Sequence, residues 1–370
     1  MKFTTDTNGD IWLLVTSGLL LLFGFIMLAS ATSALAYNKF DGDSYFFVKS
    51  QGVHLVLGLI AFWVMARIDY HYWKRWAWIL WLVSVLLLLS VFIPGIGEMR
   101  NSARSWISIA GFSFQPVEFV KLFFIIYLST WLSEKSLTEI RGWYGGLIPF
   151  FFNAGVLIAL LMLQPDIGSM ILFAIISITI FFLGGASGKQ MAAIIGLGLA
   201  AIPLLFISAS YRLARFTTFL NPEADPTGTG YHLYQSLIAV GSGGIFGKGF
   251  GNSAGKFKYL PEVAGDSIFA VIAEELGFVF VVLLIIAFFI LFQRGLRAAS
   301  FAQDVYGKLM AVGIASWIIW QAFLNIGAII GVLPLTGLPL PFISQGGTSL
   351  VALLAGVGIL YNISKQGRTA

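Results

Sequence analysis

Between residue 11 and residue 364 the chain carries one apolar stretch after another, most of them about the length that crosses a bilayer, with no water-soluble block between them. That pattern leaves few folds open. Inside hydrocarbon every backbone N–H and C=O must be satisfied by the protein, so spanning segments are helices or the strands of a closed barrel. Strands of a barrel need only about ten residues each, and alternate apolar with polar positions. The stretches here are longer and continuously apolar, so the expected fold is an all-α integral membrane protein with about ten transmembrane helices. They cover residues 11–36, 52–66, 76–93, 115–133, 146–163, 168–184, 190–209, 267–292, 309–331 and 347–364.

Composition agrees. Only 11% of the residues are charged and 58% are hydrophobic, whereas soluble domains carry about 25% charged residues. A single polytopic membrane domain over residues 1–370 is expected. The absence of cysteine rules out a disulfide framework, a thiolate metal site and a cysteine nucleophile. His54, His71 and His232 are too few and too scattered for a histidine metal cluster. The net charge of +5 includes no long basic run, so nucleic acid is not an expected partner. The first apolar run ends at Ala34-Leu35-Ala36, which looks like a signal-peptidase site, but the run exceeds the 7 to about 15 residues of a cleavable core. It reads as a retained span.

Lysine and arginine accumulate in cytoplasmic loops. With the N-terminus inside, the inner segments hold Lys2, Arg67, Lys74, Arg75, Lys135, Arg141, Lys189, Arg294, Arg297, Lys308, Lys365 and Arg368, whereas the short outer loops hold Lys39, Lys49, Arg100 and Arg104. Both termini are therefore expected in the cytoplasm. The connection between the seventh and eighth spans, residues 210–265, then lies outside. It is too rich in Tyr, Phe, Leu and Ile for a disordered tether, and it is expected to fold back onto the outer face of the bundle.

Several polar residues stand out against this background. Pro116 belongs in the first turn of the fourth span, which puts Glu118 and Lys121 on one helix face at i and i+3. Ionisable groups at membrane depth are costly unless paired or wet, so the two either bridge helices or line a cavity. Arg104, beside Trp106, can anchor a helix at the headgroups or grip a phosphate. In the long loop, Gly241 to Gly251 holds six glycines around Lys248. That is either a flexible loop or an anion site, and it lacks the spacing of a P-loop. Asp41-Gly42-Asp43 reads as a turn. Asp266, where the loop enters the eighth span, can cap the helix or act as a base at the membrane surface. Glu274 and Glu275 lie about two turns deeper, and at least one must face protein or water.

At these residues the sequence resembles the SEDS family of bacterial membrane proteins, whose RodA, FtsW and SpoVE branches polymerise peptidoglycan. Four stretches carry the resemblance. They are Arg104-Ser105-Trp106 through Phe114-Gln115-Pro116-Val117-Glu118; Asn221-Pro222 to Asp225-Pro226 with Gly228, Gly230 and Tyr231; Gly241 to Leu276; and Leu333-Pro334 through Pro341-Phe342-Ile343-Ser344-Gln345-Gly346-Gly347-Thr348-Ser349. Together with ten spans and a long outer loop they cover nearly the whole chain. The resemblance implies an enzyme that joins lipid-linked disaccharide-peptides, with Asp266 as the family aspartate and Glu118 and Lys121 as the fourth-span pair. It adds Ser344 to the substrate-binding candidates. Two departures affect the setting of the aspartate: the family reads His-Thr-Asp-Phe where this chain has Ala264-Gly265-Asp266-Ser267, and Tyr where it has Gln345.

The reaction so implied is transfer of a glycan from its undecaprenyl diphosphate onto the sugar hydroxyl of a second lipid II. Asp266 would be the general base, and Lys121, Arg104, Arg215 and Lys248 are expected on the correct side to meet the diphosphate. A divalent cation, magnesium or manganese, is compatible with that role. The expected partner is a class B penicillin-binding protein within an elongation or division complex, in the bacterial cytoplasmic membrane. A lipid II flippase and an ion-coupled transporter are the competing readings. The transporter is weakened by the lack of internal repeats and of any sign of broken helices.

Overall fold

The computed structural model describes residues 9–100, 103–109, 112–207, 217–257 and 259–367. Each of the ten apolar stretches falls on a helix. The described helices are α1 (Ile11–Lys39), α2 (Phe46–Arg67), α3 (His71–Lys74), α4 (Ala77–Ser90), α5 (Pro116–Ser133), α6 (Leu137–Arg141), α7 (Ile148–Leu163), α8 (Ile167–Leu183), α9 (Gly188–Ile207), α10 (Tyr231–Ser242), α11 (Ile268–Phe301), α12 (Val305–Ile329) and α13 (Gly347–Gln366). Among the described residues seven helices are long and apolar enough to cross a membrane, one of them α7 extended back to Trp143, and α4, α8 and α9 are shorter apolar helices. This is a multi-pass membrane protein.

Local chemistry sets several of the boundaries. The Asp10 carboxylate accepts from the backbone of Trp12 and Leu13 and starts α1. Pro116 opens α5 with a residue that has no N–H to leave orphaned. Ser136 and Glu139 form a reciprocal capping box on α6. Helices α5, α12 and α13 are buried on most sides and form the centre, whereas α2 presents Val53, Val56, Ile60 and Trp63 outward. Outward apolar faces of this kind suit lipid.

The structure adds to the sequence expectation at three places, two of them corrections. First, the fold is not wholly helical. Between α4 and α5 lies an antiparallel sheet, β1 (Gly97–Arg100), β2 (Ala103–Ile109) and β3 (Phe112–Phe114), in the order β1-β2-β3. The Trp106-Ile107-Ser108-Ile109 segment supplies the aromatic and β-branched residues that strands favour. Second, the long connection carries a helix: α10 lies against α11 and α12, through buried Leu233, Ser236 and Ala239. Folding back onto the bundle is what the sequence had led us to expect.

Third, the eighth span is broken. Gly277 has φ 76° and ψ −176°, a conformation essentially confined to glycine. In an unbroken helix the N–H groups of Phe278 and Val279 would donate to the carbonyls of Glu274 and Glu275. Here they donate instead to Gly244 and Ile245, at 2.9 and 3.2 Å, while the orphaned Glu274 and Glu275 carbonyls accept from Lys248 and Gly249, both at 3.0 Å. The glycine-rich loop therefore splices the break, bonding these four backbone groups with four of its own. Such close backbone approach is what the glycines supply: a Cβ on Gly247 would collide with the Glu275 carbonyl, and one on Gly277 with the Gly247 nitrogen.

Candidate active site

Asp266 lies two residues ahead of Ile268, the first residue of α11, and Ser267 between them holds the N-cap position with no side-chain capping bond. The Asp266 side chain is 13% exposed, and Oδ1 is 3.9 Å from His232 Nε2 of α10. The Asp266 carbonyl accepts from Asn325 Nδ2 at 2.9 Å, and the same amide donates to the Leu338 carbonyl at 2.8 Å. One turn earlier on α12, Gln321 Nε2 donates to the Pro339 carbonyl at 2.9 Å. The stretch after α12 is thus held by two amides spaced i and i+4 on one helix face.

Lys121 belongs to the same network. Its Nζ donates to Glu118 Oε1 at 2.8 Å and to Gln321 Oε1 at 2.9 Å, and lies 5.1 Å from the Trp317 ring centre. The Trp317 indole donates to that same Gln321 oxygen at 2.8 Å. Lys121 and Glu118 are both fully buried, a state that stands only because each partner offsets the other's lost hydration. In this conformation the ammonium is sealed by Glu118, Gln321 and Trp317, and reaching a diphosphate requires that packing to open. Ser344 is buried nearby in the chain's path: its Oγ accepts from the Leu340 N–H at 2.8 Å, and the Gln345 N–H donates to the Ala264 carbonyl at 2.7 Å, tying this turn to the Asp266 loop.

The remaining candidates sit apart. Lys248 pairs with Glu274 at 2.7 Å, eight residues beyond Asp266, or about 12 Å along a helix at 1.5 Å per residue. Beside it Lys256 pairs with Glu275 at 3.0 Å, and Ser30 and Ser253 complete the shell around the two carboxylates. Both glutamates therefore face protein. Arg104 lies on β2; its backbone N–H donates to the Gln164 carbonyl at 3.2 Å, and its Nε is buried with no hydrogen-bond partner among the described residues. Arg215 lies outside the described residues. Asp43 binds Lys49 at 2.8 Å within a turn, and that bond and the Tyr45 N–H hold its carboxyl below the usual range. Among the described residues no three His, Cys, Asp or Glu side chains are grouped to hold a metal ion.

A second polar cluster lies at the opposite end of the bundle, near Arg67, Lys74 and Lys308. The two ring nitrogens of His71 face Asp69 at 2.7 Å and Asp304 at 3.1 Å, and the Tyr70 hydroxyl donates to Asp304 at 3.0 Å. It joins the start of α3 to the start of α12.

Comparison with known proteins places this architecture. The family model described as cell cycle protein, spanning FtsW, RodA and SpoVE, matches residues 11–369. The chain belongs to this family. It is 42% identical to stage V sporulation protein E of Bacillus subtilis strain 168 over 367 residues, covering 99% of both chains. It is 40% identical to a probable peptidoglycan glycosyltransferase FtsW of Geobacter sp. strain M18 over 364 residues, covering 98% of both. Among solved structures it resembles a chain from a study of how a peptidoglycan synthase complex coordinates polymerization and crosslinking, with TM-score 0.81, 26% identity and coverage of 99% and 100%. It also resembles the rod shape determining protein RodA of Thermus thermophilus, with TM-score 0.72, 25% identity and 98% coverage of each chain.

Within this family frame, the residues that sequence reading missed are Gln321, Asn325 and His232. Two amides in an apolar span were the available signal, because polar groups at membrane depth are kept only where they bond.

Proposed function

We propose that this chain is a peptidoglycan glycosyltransferase that polymerises lipid II. What supports it most is the placement of one carboxylate: Asp266 is only slightly exposed where the long loop meets α11, and its backbone is tied through Asn325 and the 338–339 segment to the buried Lys121 network. Full-length relatives named as glycosyltransferases support the same reading.

The step this geometry serves is a displacement at a sugar carbon. The acceptor hydroxyl attacks C1 of the donor glycan while Asp266 takes its proton, and the C1–oxygen bond breaks with the electron pair leaving on the lipid diphosphate. A positioned carboxylate contributes about 10² to 10⁴ in rate to such a step. The leaving diphosphate calls for preorganised positive charge, for which Arg104, Lys121 and Arg215 are the proposed groups, with Ser344 shaping the turn beside them. Lys248, like Lys121, is paired with a carboxylate and would have to leave it to meet the diphosphate. A divalent cation carried by the diphosphate would add charge of its own.

The remaining features follow from the substrate. A polyprenyl tail stays in the bilayer, so ten spans with both termini in the cytoplasm and residues 210–265 outside bring the site to the outer leaflet of the bacterial cytoplasmic membrane. A class B penicillin-binding protein would supply transpeptidation. The helix break at Gly277 removes one argument against an ion-coupled transporter. Its two carboxylates, however, are each bound by a lysine, which leaves no open acidic pair for an ion. The deciding experiment gives purified chain lipid II in detergent, where no leaflets exist, with the partner transpeptidase present. Glycan strands are expected; their absence under conditions where the folded chain still binds lipid II would favour a flippase.

A further inference from the structure

Between Glu262 and Asp266 the chain reads Val263, Ala264, Gly265, so the loop that carries the proposed base offers it no polar side chain from those three positions. The neighbour comes from elsewhere. His232, the second residue of α10, places Nε2 2.6 Å from Ser267 Oγ and 3.9 Å from Asp266 Oδ1. Its position is fixed from behind. Leu233 and Ser236 are buried, and the Ser236 hydroxyl donates to the His232 carbonyl at 2.8 Å. On the far side, Asn325 holds the Asp266 carbonyl. The aspartate is thus gripped by its backbone from α12 and flanked at its carboxylate from α10.

We infer that His232 is a positioning residue for Asp266. This rests on the glycosyltransferase reading given above. The imidazole bonds Ser267 and fixes which carboxylate oxygen faces it. Oδ1 is turned to the ring, and Oδ2 is the oxygen that meets the acceptor hydroxyl. In the transfer step the hydroxyl proton passes to Asp266 and the bonding pair leaves on the diphosphate, while His232 gains and loses nothing. Its contribution is orientation, and small misplacements of a reacting group are expensive: about 1 Å can cost a hundredfold in rate.

A consequence concerns the outer loop. Because α10 belongs to the connection that also carries Asn221 and Pro222, folding of that loop against the bundle and readiness of the base become one event. A loop displaced by even one residue in register would withdraw the imidazole from Asp266.

The test uses the full chain with lipid II and reads kcat, KM and Tm for His232→Ala, His232→Gln and Asp266→Asn. His232→Ala is expected to lower kcat by about tenfold or more, with KM and Tm little changed. His232→Gln, whose amide can still bond Ser267 Oγ beside the carboxylate, is expected to recover kcat to within a few fold. A purely structural histidine would instead move Tm. Normal kcat in His232→Ala, or a glutamine variant that restores Tm but leaves kcat as low as alanine does, would overturn the inference. The two readings fail separately: full activity in Asp266→Asn removes the base assignment itself, whereas an inactive Asp266→Asn alongside a normal His232→Ala removes only the role of the histidine.

Discussion

Gly247 lies so close to Gly277 that a Cβ on Gly277 would meet the Gly247 nitrogen, while a Cβ on Gly247 would meet the Glu275 carbonyl. The contact exists because the glycine loop exchanges hydrogen bonds with both sides of the break in α11. Gly277→Ala should therefore suffer both a collision and a forbidden backbone conformation, at a cost of about 3 kcal/mol. Gly241→Ala is the control, since Gly241 lies within α10 and nothing lies within 4 Å of the added carbon. It should be neutral or gain about 0.5 kcal/mol. Thermal unfolding in detergent compares the two, and equal Tm values would refute the splice.

Lys121→Met leaves Glu118 buried without its cation. Removing one member of a buried pair costs about 3 to 5 kcal/mol, so this single change should lower Tm markedly. Adding Glu118→Gln should recover much of that loss. Glycan synthesis is expected to remain low in the double variant, because the charge proposed to meet the diphosphate is still missing. A double variant that is both stable and fully active would show that the pair only joins α5 to α12.

Much of the architecture was legible because lipid imposes a length on every span. All ten stretches fall on helices, and Pro116 opens α5 as its position foretold. The β1–β3 sheet was not legible, since strands of 4, 7 and 3 residues leave too short a pattern between two spans. Nor was the break in α11: Gly277 reads like any glycine in an apolar run, and its meaning lies in a loop 30 residues earlier. The same distance explains the site. Glu118 and Lys121 are three apart and could be paired by helical spacing, but Gln321 reaches Lys121 across 200 residues of sequence and His232 reaches Asp266 across 34. Lys248 shows the converse, a cation whose glycine setting suggested an anion site and whose partner is Glu274.

Asp304 does two things at once. It accepts from the Gly307 N–H at the start of α12 and faces His71 and Tyr70. Asp304→Ala should cost about 1 to 2 kcal/mol from the lost cap alone. Asp304→Asn keeps a capping oxygen and should retain most of the stability. The comparison is read by Tm, and equal losses in the two variants would place the effect in the charge facing His71 instead of the cap.

Topology is open to chemical labelling because the chain has no cysteine. Thr227 and Ser300 are both exposed, whereas the adjacent Ala299 is buried and unsuited to labelling. An impermeant thiol reagent applied to intact cells should modify Thr227→Cys and spare Ser300→Cys. The reverse pattern would invert the proposed orientation.

Whether Asp266 is the base is decided by glycan synthesis from purified lipid II by Asp266→Asn, assayed beside Glu262→Gln with the partner transpeptidase present. Glu262 is exposed, at φ 49°, and its carbonyl accepts from Gly265 and Ser267; it shapes the turn, so its variant should stay active. The asparagine keeps the shape of Asp266 but cannot take a proton. A loss of about a hundredfold or more is expected, with lipid II binding and Tm little changed. Near-normal synthesis by Asp266→Asn would rule out Asp266 as the base.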